Sequence, residues 1–450
     1  MAPSLTLINP WIYDFAAYDL WSKPLGLLYL AGYLRQAGAK VDLIDCLNVH
    51  CSTPNEAPAN LHPLRRAYGT GKFRREEIET PAPLKDIPRK YCRYGIPEDR
   101  FRRELTKIPR PDAILVTSLM TYWYPGVRRV IQLSREIHPR VPIILGGIYA
   151  RLCAEHARRS SGADQVVTAG DLRDQDAVHE ALQTFGIGLK GKPSPEAVQP
   201  YPAFELLPRI EYVCLLTSIG CPYRCRYCAS GYLSPGFSHR DPLEVLEEIV
   251  HWHQCHGVRD FAFYDDALLF DSDTHLAVLL ENVLKRGLNV RFHTPNALHV
   301  REVSAEIAVL LYRAGFRTIR LGFETSNMAL HEELDQKVSA GEFERAVKNL
   351  VKAGFEKKTM GAYILAGLPE QSVESVIDTI RHVGAAGITP YLAEYSPLPH
   401  TSMWPKAVRS SRYDIASEPL YHNNTLLPCW DDSQRRRFPE LKRLVQNFRQ

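Results

Sequence analysis

The second half of the chain repeats one pattern, in which a helix ends at a glycine and a strand follows. The helix-ending glycines are Gly257, Gly287, Gly315, Gly354 and Gly387. Neighbouring glycines are 28 to 39 residues apart, which is the length of one strand–helix unit. Together with an apolar strand that begins near Tyr212, the pattern predicts six parallel strands in a partial (β/α)6 TIM-type barrel. Such barrels carry their chemistry at the carboxyl ends of the strands.

A short loop after the first of these strands contains three cysteines, Cys221, Cys225 and Cys228. Thiolates are preferred ligands of iron and zinc, and three that lie this close in sequence can bind one small cluster. Three ligands leave one iron of a four-iron cluster without a protein donor, and an open coordination position is where a small molecule can react. The spacing therefore predicts an iron–sulfur centre with an open position.

Two other interpretations fit the same three cysteines. A structural zinc site needs a fourth ligand, for which Cys214 in the preceding strand and His239 are the candidates. Buried cysteines can also serve simply as small apolar side chains of a core. The spacing and the loop context favour the open cluster over both.

The CxxxCxxC spacing, with Tyr227 directly before the third cysteine, resembles the cluster loop of the radical S-adenosylmethionine (SAM) enzymes. The resemblance implies that the cysteines hold a [4Fe-4S] cluster and that SAM binds the open iron through its amino and carboxylate groups. One electron then cleaves SAM to methionine and a 5′-deoxyadenosyl radical. Tyr227 would pack near the adenine. A reducing electron donor such as ferredoxin or flavodoxin is also implied.

Residues at other strand ends of the predicted barrel resemble the SAM site of this family. Asp265 and Asp266 end the second strand, where the family contacts the SAM amino group. Asn296 ends the third strand, and Glu324, in Gly-Phe-Glu-Thr, resembles the Gly-Ile-Glu-Ser segment of the SAM site. Gly367-Leu368-Pro369 resembles the fifth-strand segment beside the adenosine. The strand-end position assigns Asn296 to cofactor binding, and the resemblance assigns the other residues.

Three side chains are candidates for contact with the substrate. Arg320 shares strand parity with Glu324 and is expected to face the barrel lumen, where it would bind a carboxylate or phosphate or form a structural ion pair. Tyr264 is a second lumen candidate. His400 stands where the family has the glycine of Pro-Gly-Thr, and is either a substrate or proton-transfer residue or an exposed loop histidine. The substrate itself, a small molecule or a peptide, is not identified by these residues.

The first half of the chain alternates strands and helices ahead of the barrel. Strands are predicted at 4–8, 41–44, 113–118, 142–145 and 165–168. With helices between them, they indicate an open parallel (Rossmann-like) α/β sheet, which binds ligands outside the carboxyl ends of its strands. Residues 48–110 interrupt the pattern and are interpreted as an insertion, helical near 97–107.

This half resembles the cobalamin-binding domains that precede many radical SAM domains. The matching pieces are Pro24-Leu25-Gly26-Leu27, Asp45 and the pair Gly146-Gly147. The resemblance implies that cobalamin binds at the glycine pair, with residues 118–124 facing the lower side of the corrin. By itself the pair is also compatible with a tight turn. The chain has no Asp-x-His-x-x-Gly segment, and Ala-Gly-Asp-Leu at 169–172 replaces the expected Gly-Glu-Gly-Glu.

The predicted organisation is a cobalamin-binding-like domain at 1–185, a linker at 186–208, a radical SAM partial barrel at 209–402 and a C-terminal extension at 403–450. It predicts a cobalamin-dependent enzyme that methylates or radically rearranges its substrate. One alternative is a cobalamin-independent radical SAM enzyme whose first domain recognises the substrate. The other is a non-catalytic iron–sulfur protein.

Composition limits the partners and the compartment. A net charge of +4 gives no sign of nucleic-acid binding, although residues 61–110 carry 14 Lys/Arg against 7 Asp/Glu, which fits an anionic partner or a solvated face. The 10 cysteines show no disulfide framework, so reduced thiols in the cytoplasm are expected. The longest apolar run, 25–34, is about half of the roughly 20 residues that a membrane span needs, and no signal peptide is expected.

Overall fold

The computed structural model describes residues 2–50, 63–170, 175–190 and 200–448. It divides into two compact units: unit 1 is Met1–Ile210 with Ser417–Tyr421, and unit 2 is Glu211–Ala416 with His422–Gln450. Parts of the predicted insertion and linker, and residues 171–172, lie outside the described residues. Within the described ranges, every helix is too short or too polar to cross a membrane.

Unit 1 contains ten strands and six helices in its described part. The strands are β1 (Ser4–Asn9), β2 (Ile12–Asp14), β3 (Tyr18–Asp19), β4 (Lys40–Asp45), β5 (Gly71–Lys72), β6 (Arg75–Glu77), β7 (Cys92–Tyr94), β8 (Ala113–Val116), β9 (Ile143–Leu145) and β10 (Gln165–Val166). The helices are α1 (Leu25–Gln36), α2 (Glu98–Lys107), α3 (Tyr124–Ile137), α4 (Ile148–Leu152), α5 (Ala154–Ser160) and α6 (Asp176–Thr184).

The main sheet of unit 1 has five parallel strands in the order β10-β9-β8-β1-β4. Successive residues of β8 alternate between two cores, because Ile114 and Val116 pack on one face and Ala113 and Leu115 on the other. Burial on both faces explains why these strands read as continuous apolar runs. The strand order reverses between β1 and β8, and a doubly wound sheet binds ligands at such a point. The predicted α/β class is therefore confirmed for this unit.

The predicted insertion has structure of its own. In its described part, β7 pairs with β2 on one side and with β6 on the other in a three-stranded antiparallel sheet, and α2 buries Phe101 and Leu105. The connection between β9 and β10, where the alternating pattern predicts a helix, contains two helices, α4 and α5. Cys153 separates them, with φ −126° and ψ 49°, because these torsions do not continue a helix.

Unit 2 contains nine strands and nine helices in its described part. The strands are β11 (Val213–Leu215), β12 (Ser218–Gly220), β13 (Phe237–His239), β14 (Asp260–Phe263), β15 (Arg291–His293), β16 (Leu298–His299), β17 (Phe316–Glu324), β18 (Met360–Ala366) and β19 (Thr389–Glu394). The helices are α7 (Ser230–Leu233), α8 (Pro242–His256), α9 (Leu276–Lys285), α10 (Ala305–Ala314), α11 (Met328–Leu334), α12 (Glu342–Ala353), α13 (Val373–Ala385), α14 (Trp404–Ser410) and α15 (Asp432–Asn447).

Six parallel strands form the barrel wall in the order β11-β14-β15-β17-β18-β19, and the short β16 also pairs with β17. All five predicted helix-ending glycines have positive φ, between +62° and +114°, which is the conformation that glycine supplies at a helix end. The sheet path ends at β11 and β19, so the barrel is partial. The predicted (β/α)6 architecture is confirmed.

The C-terminal extension ends in the helix α15, Asp432–Asn447. Asp431 caps α15, and its side chain and that of Gln434 form a reciprocal capping box. Gln434 Nε2 donates a hydrogen bond to the Gln371 carbonyl oxygen at 2.8 Å. The helix is therefore tied to the end of the fifth barrel strand.

Candidate active site

The cluster loop, residues 221–228, leads from β12 to α7. The antiparallel hairpin β12–β13 pairs Gly220 with Phe237. Gly220 has a φ of +82°, and a Cβ atom there would lie 2.0 Å from the carbonyl oxygen of Gly236. Only glycine fits this position. The hairpin therefore fixes the backbone directly before Cys221.

All three predicted cluster ligands line one cavity of about 620 Å³ in unit 2. Cys225 is buried, Cys221 is half-buried and Cys228 is exposed. The Ser230 amide donates a hydrogen bond to Cys228 Sγ at 3.4 Å. The cavity is also lined by Arg224, Tyr232, Asp266, Lys337 and His400. The loop thus presents its sulfur atoms to a space that can admit a ligand.

The thiols fit an iron–sulfur cluster better than a single zinc ion. Burial raises the pKa of both Cys221 and Cys225 to about 11, so both hold protons at neutral pH until a metal displaces them. Among the described residues, no three His, Cys, Asp or Glu side chains converge on one point as ligands of a single ion would. In a cubane each thiolate binds a different iron. Neither Cys214 nor His239 lines the cavity as a fourth zinc ligand.

The two predicted aspartates have different surroundings. Asp265 is buried, and its Oδ1 accepts hydrogen bonds from the backbone and hydroxyl groups of Thr217 and Ser218 at 2.6–3.0 Å. Burial raises the pKa of Asp265 to about 6, although these bonds lower it. Asp266 instead faces the cysteine cavity. Asp265 therefore anchors the turn between β11 and β12, and Asp266 is the carboxylate placed to contact a ligand.

Glu324 ends β17 in a strained backbone conformation. Its φ is +63°, and such a conformation costs a non-glycine residue about 1–3 kcal/mol. Burial raises its pKa to about 7, while the charge of Lys337 and a hydrogen bond with Tyr227 lower it. The pairing of β17 with β18 also shifts register between Gly322 and Glu324. The surrounding structure therefore keeps the Glu324 carboxyl group at the end of β17 in spite of its strained backbone conformation.

Lys337, which sequence reasoning missed, also lines the cavity. Its Nζ lies 3.5 Å from Tyr227 Oη and 5.8 Å from the centroid of that ring. Burial lowers the pKa of Lys337, but Cys225, Glu324 and Asp335 raise it, and the net shift is upward. No motif or periodicity marks this lysine, since it lies in an irregular loop after α11. It adds a fixed cation beside the cysteines.

Two strand-end segments are braced by side-chain amides. Asn296 Nδ2 donates hydrogen bonds to the carbonyl oxygens of Tyr264 and Asp265 at 2.8 and 3.4 Å. Gln371 Oε1 accepts from the amides of Gly367 and Leu368 at 2.9 and 3.2 Å. Gln371 was not predicted. It lies two residues beyond Pro369 and fixes the Gly367-Leu368-Pro369 segment from within the chain.

Arg320 already has partners. Its guanidinium lies 4.4 Å from the Tyr391 ring centroid, and its Nη1 donates a hydrogen bond to the Ile319 carbonyl oxygen at 2.9 Å. Its Nη2 contacts the Tyr391 hydroxyl at 3.2 Å. These contacts fit a structural role with an aromatic partner rather than the predicted carboxylate.

His400 lies on the wall of the cysteine cavity. Its φ is +66°, in the region where glycine carries no strain. The imidazole stacks on the Tyr232 ring with centroids 4.1 Å apart and planes 3° apart. A histidine held in this conformation beside the cysteines is placed to contact a ligand.

The carboxyl edge of the unit 1 sheet has the features expected of a site for a flat ligand. A Cβ atom on Gly146 would meet no atom within 4 Å, whereas one on Gly147 would lie 2.3 Å from the Ser118 carbonyl oxygen. Ser118 Oγ donates to the Gly146 carbonyl oxygen at 2.6 Å and fixes this turn. Leu119 and Met120 follow with 49% and 40% of their surface exposed. Open space at Gly146 beside exposed apolar side chains fits a macrocycle such as cobalamin.

Comparison with protein families finds two matches. Residues 215–383 match the radical SAM superfamily, and residues 89–176 match the B12 binding domain. The first range contains the three cysteines, Asp266 and Glu324. The second contains Ser118 and the glycine pair.

The curated proteins that this chain resembles are distant relatives. An uncharacterized methyltransferase of Pyrococcus horikoshii is 22% identical over 70% of this chain and 74% of that protein. The anaerobic magnesium-protoporphyrin IX monomethyl ester cyclase of Rubrivivax gelatinosus is 21% identical over 68% of this chain and 60% of the cyclase.

Two solved structures share the fold. The radical SAM methyltransferase TsrM of Kitasatospora setae, with cobalamin and a [4Fe-4S] cluster bound, has a TM-score of 0.66 and 15% identity over 100% of this chain and 91% of TsrM. The cobalamin-dependent enzyme OxsB has a TM-score of 0.54 and 12% identity over 99% of this chain and 56% of OxsB. At these identities the likeness shows the architecture.

Proposed function

Because the chain contains a radical SAM domain and a B12-binding domain, we propose that it transfers a methyl group to an unactivated carbon of its substrate. The enzyme class and the three cofactors predicted from the sequence, a [4Fe-4S] cluster, SAM and cobalamin, are confirmed by these matches. The observation that carries the methyl-transfer proposal is that one chain has both a cavity lined by three cysteines, in unit 2, and open space at Gly146, in unit 1.

Different residues of the cysteine cavity would bind the cluster, SAM and the substrate. Cys221, Cys225 and Cys228 would hold the cluster, which, when bound, supplies the electron that cleaves SAM and so provides a radical able to remove hydrogen from carbon. Asp266 offers a carboxylate to an ammonium group. Glu324 offers a second acid to ammonium or ribose hydroxyl groups, and His400 remains to contact the substrate.

The residues of the sheet edge would hold the second cofactor. Gly146 leaves room for the corrin, and Leu119 and Met120 offer apolar contact to one of its faces. Bound cobalamin supplies a methyl carrier. The chain has no Asp-x-His-x-x-Gly segment, so Gly146, Leu119 and Met120 would hold the group by shape and apolar contact.

The test is product analysis under anaerobic conditions. Protein reconstituted with cluster and cobalamin receives SAM with a deuterated methyl group and a metabolite extract of the organism that encodes it. The proposal expects both 5′-deoxyadenosine and S-adenosylhomocysteine, together with an extract component that gains the labelled methyl group. Formation of 5′-deoxyadenosine alone would favour a radical rearrangement. Absence of both products would favour a non-catalytic iron–sulfur protein.

We expect SAM to bind more tightly as the pH rises through 7. The pKa of Glu324 is about 7, and its ionised form is the better acceptor for ammonium and hydroxyl groups. Glu324→Gln should flatten this profile and weaken binding at high pH by about tenfold, since a hydrogen bond to a charged group contributes about 1.5–3 kcal/mol. Isothermal titration calorimetry on the reconstituted protein measures both. Glu306→Gln, at an exposed position of α10, is the matched control.

The same titration affects the free energy of unfolding in the opposite direction. Since the folded-state pKa of Glu324 lies above its ordinary value of 4.5, the folded protein binds this proton more tightly than the unfolded chain. Its contribution to stability is present below the ordinary pKa and is lost as the pH rises through 7. A pH profile of SAM affinity that follows the stability profile, rather than opposing it, would contradict the assigned role of Glu324.

The electron donor we propose is an acidic one-electron carrier such as ferredoxin or flavodoxin. Arg224 and Cys228 are exposed in the cluster loop, so a negatively charged carrier can approach them. Arg224→Glu should slow 5′-deoxyadenosine formation driven by reduced flavodoxin and leave the dithionite-driven rate unchanged. Equal flavodoxin-driven rates of 5′-deoxyadenosine formation in Arg224→Glu and in the wild type would contradict this docking site.

The compartment we propose is the cytoplasm. All nine cysteines in the described part of the chain are free thiols, as expected under reducing conditions. Cell fractionation with an antibody to this protein tests the assignment.

A further inference from the structure

The cluster loop is bonded to the segment that follows α11, residues 334–337. The Arg226 amide donates a hydrogen bond to the Leu334 carbonyl oxygen at 2.8 Å. Tyr227 Oη donates to Asp335 Oδ2 at 3.3 Å, and the Lys337 amide donates to Asp335 Oδ1 at 3.0 Å. Asp335 therefore connects the backbone of Lys337 to the tyrosine beside the third cysteine.

This connection is anchored in the barrel. His331 is only 1% exposed, and its Nδ1 lies 3.1 Å from Asp335 Oδ1. Its Nε2 lies 2.8 Å from the Thr325 carbonyl oxygen, directly after the end of β17. The position of Asp335 is thus set by α11, which carries His331, and by the end of β17. This leaves little conformational freedom for Lys337, two residues later.

The side chain of Lys337 returns to the cluster loop. Its Nζ is 3.5 Å from Tyr227 Oη, and the lysine lines the same cavity as Cys221 and Cys225. Several buried groups lie within reach of its charge: burial has the largest effect on their pKa values and the Lys337 charge lowers each of them, in Cys221, Cys225, Asp266, His299, Glu324 and Asp335. Lys337 is therefore a cation fixed beside the predicted cluster ligands.

We propose that Lys337 raises the reduction potential of the cluster by holding its ammonium against the Cys225 ligand. The proposal rests on the proposed function only in requiring that a cluster binds at the three cysteines. Net charge and hydrogen bonds to the cysteine sulfurs set the potential of such clusters. A nearby cation stabilises the state that carries one more electron, and the effect is large where water is scarce. Lys337 is thus a positioning residue that acts through Cys225.

The test is a redox titration of the reconstituted cluster, followed by electron paramagnetic resonance, without SAM or cobalamin. Lys337→Met should shift the midpoint potential downward at unchanged iron content. Lys337→Arg, which keeps the charge, should restore most of the potential. Lys348→Met, at an exposed position of α12, is the matched control and should leave the potential unchanged. Lys337→Gln gives the same measurement if the methionine variant loses its cluster.

Three outcomes would overturn the proposal. The first is a full cluster with wild-type potential and unchanged SAM binding in the neutral variants. The second is that same potential together with weakened SAM binding in a separate calorimetric measurement, which would make Lys337 a contact for the SAM carboxylate instead. The third is loss of iron in both neutral variants, which would assign it to cluster assembly. Because no SAM is present in the titration, a protein that holds a cluster but yields no 5′-deoxyadenosine can still support the inference.

Discussion

Replacing Cys221, Cys225 or Cys228 with alanine is expected to remove the cluster and to abolish SAM cleavage. Each thiol lines the same cavity, and each would bind a different iron of the cubane. We expect 5′-deoxyadenosine formation to fall by more than about 100-fold, since losing even an outer-shell partner of a metal ligand costs roughly 10- to 100-fold. Iron and sulfide content, the reduced-cluster spectrum and the 5′-deoxyadenosine yield measure the effect.

Cys255→Ala is the matched control for these variants. Cys255 is exposed on α8 and does not line the cavity, so its removal should leave cluster content and SAM cleavage unchanged. Circular dichroism should show that all four variants remain folded. A cavity-cysteine variant that retains full iron content and activity would contradict the assignment of that cysteine as a ligand.

The barrel could be predicted from sequence because its signals are local. A glycine at a helix end supplies its own positive φ, and Gly257, Gly315 and Gly354 each cap a helix in the left-handed conformation. Buried strands are likewise indicated by apolar runs in the sequence, as in β8 and β18. Such features need no knowledge of which distant segment they meet.

The cysteines of the site were also found by local spacing, but the rest of the electrostatic environment was not. Lys337 contacts Tyr227 of the cluster loop, and the two residues are 110 positions apart in sequence. A separation of this length leaves no periodic signal. Gln371 acts on Gly367 through a turn whose hydrogen bonds cannot be read from residue types alone. Long-range packing decides the first contact and the hydrogen-bond geometry of a local turn decides the second, so no motif identifies either.

The two adjacent aspartates show the same limit within one motif. Neighbouring residues of a strand end point in different directions, and their separation into an anchoring acid, Asp265, and a cavity acid, Asp266, depends on where Thr217 and Ser218 lie. The antiparallel hairpin β12–β13, which places those residues, was not predicted because its second strand begins 17 residues after the first ends. Sequence therefore located the acids without separating their roles.

Gly146→Phe is expected to abolish cobalamin binding while leaving the fold intact. A Cβ atom at Gly146 meets nothing within 4 Å, so the new side chain would extend into the space at the carboxyl edge of the sheet instead of into the protein. There it would occupy the room that a corrin needs. The corrin absorbance per protein after loading and gel filtration measures binding, and the thermal unfolding midpoint reports the fold.

Gly188→Phe is the matched control, because a Cβ atom at Gly188 also meets nothing within 4 Å and its φ lies outside the left-handed region. It should bind cobalamin as the wild type does, so a loss confined to Gly146→Phe separates a blocked site from a general effect of a large surface side chain. Cluster content should be the same in both variants, since the cysteine loop belongs to the other unit. Undiminished corrin binding by Gly146→Phe would contradict a cobalamin site at the glycine pair. If Gly146→Phe instead loses SAM demethylation and keeps normal 5′-deoxyadenosine formation, the methyl-carrying step belongs to this edge of unit 1.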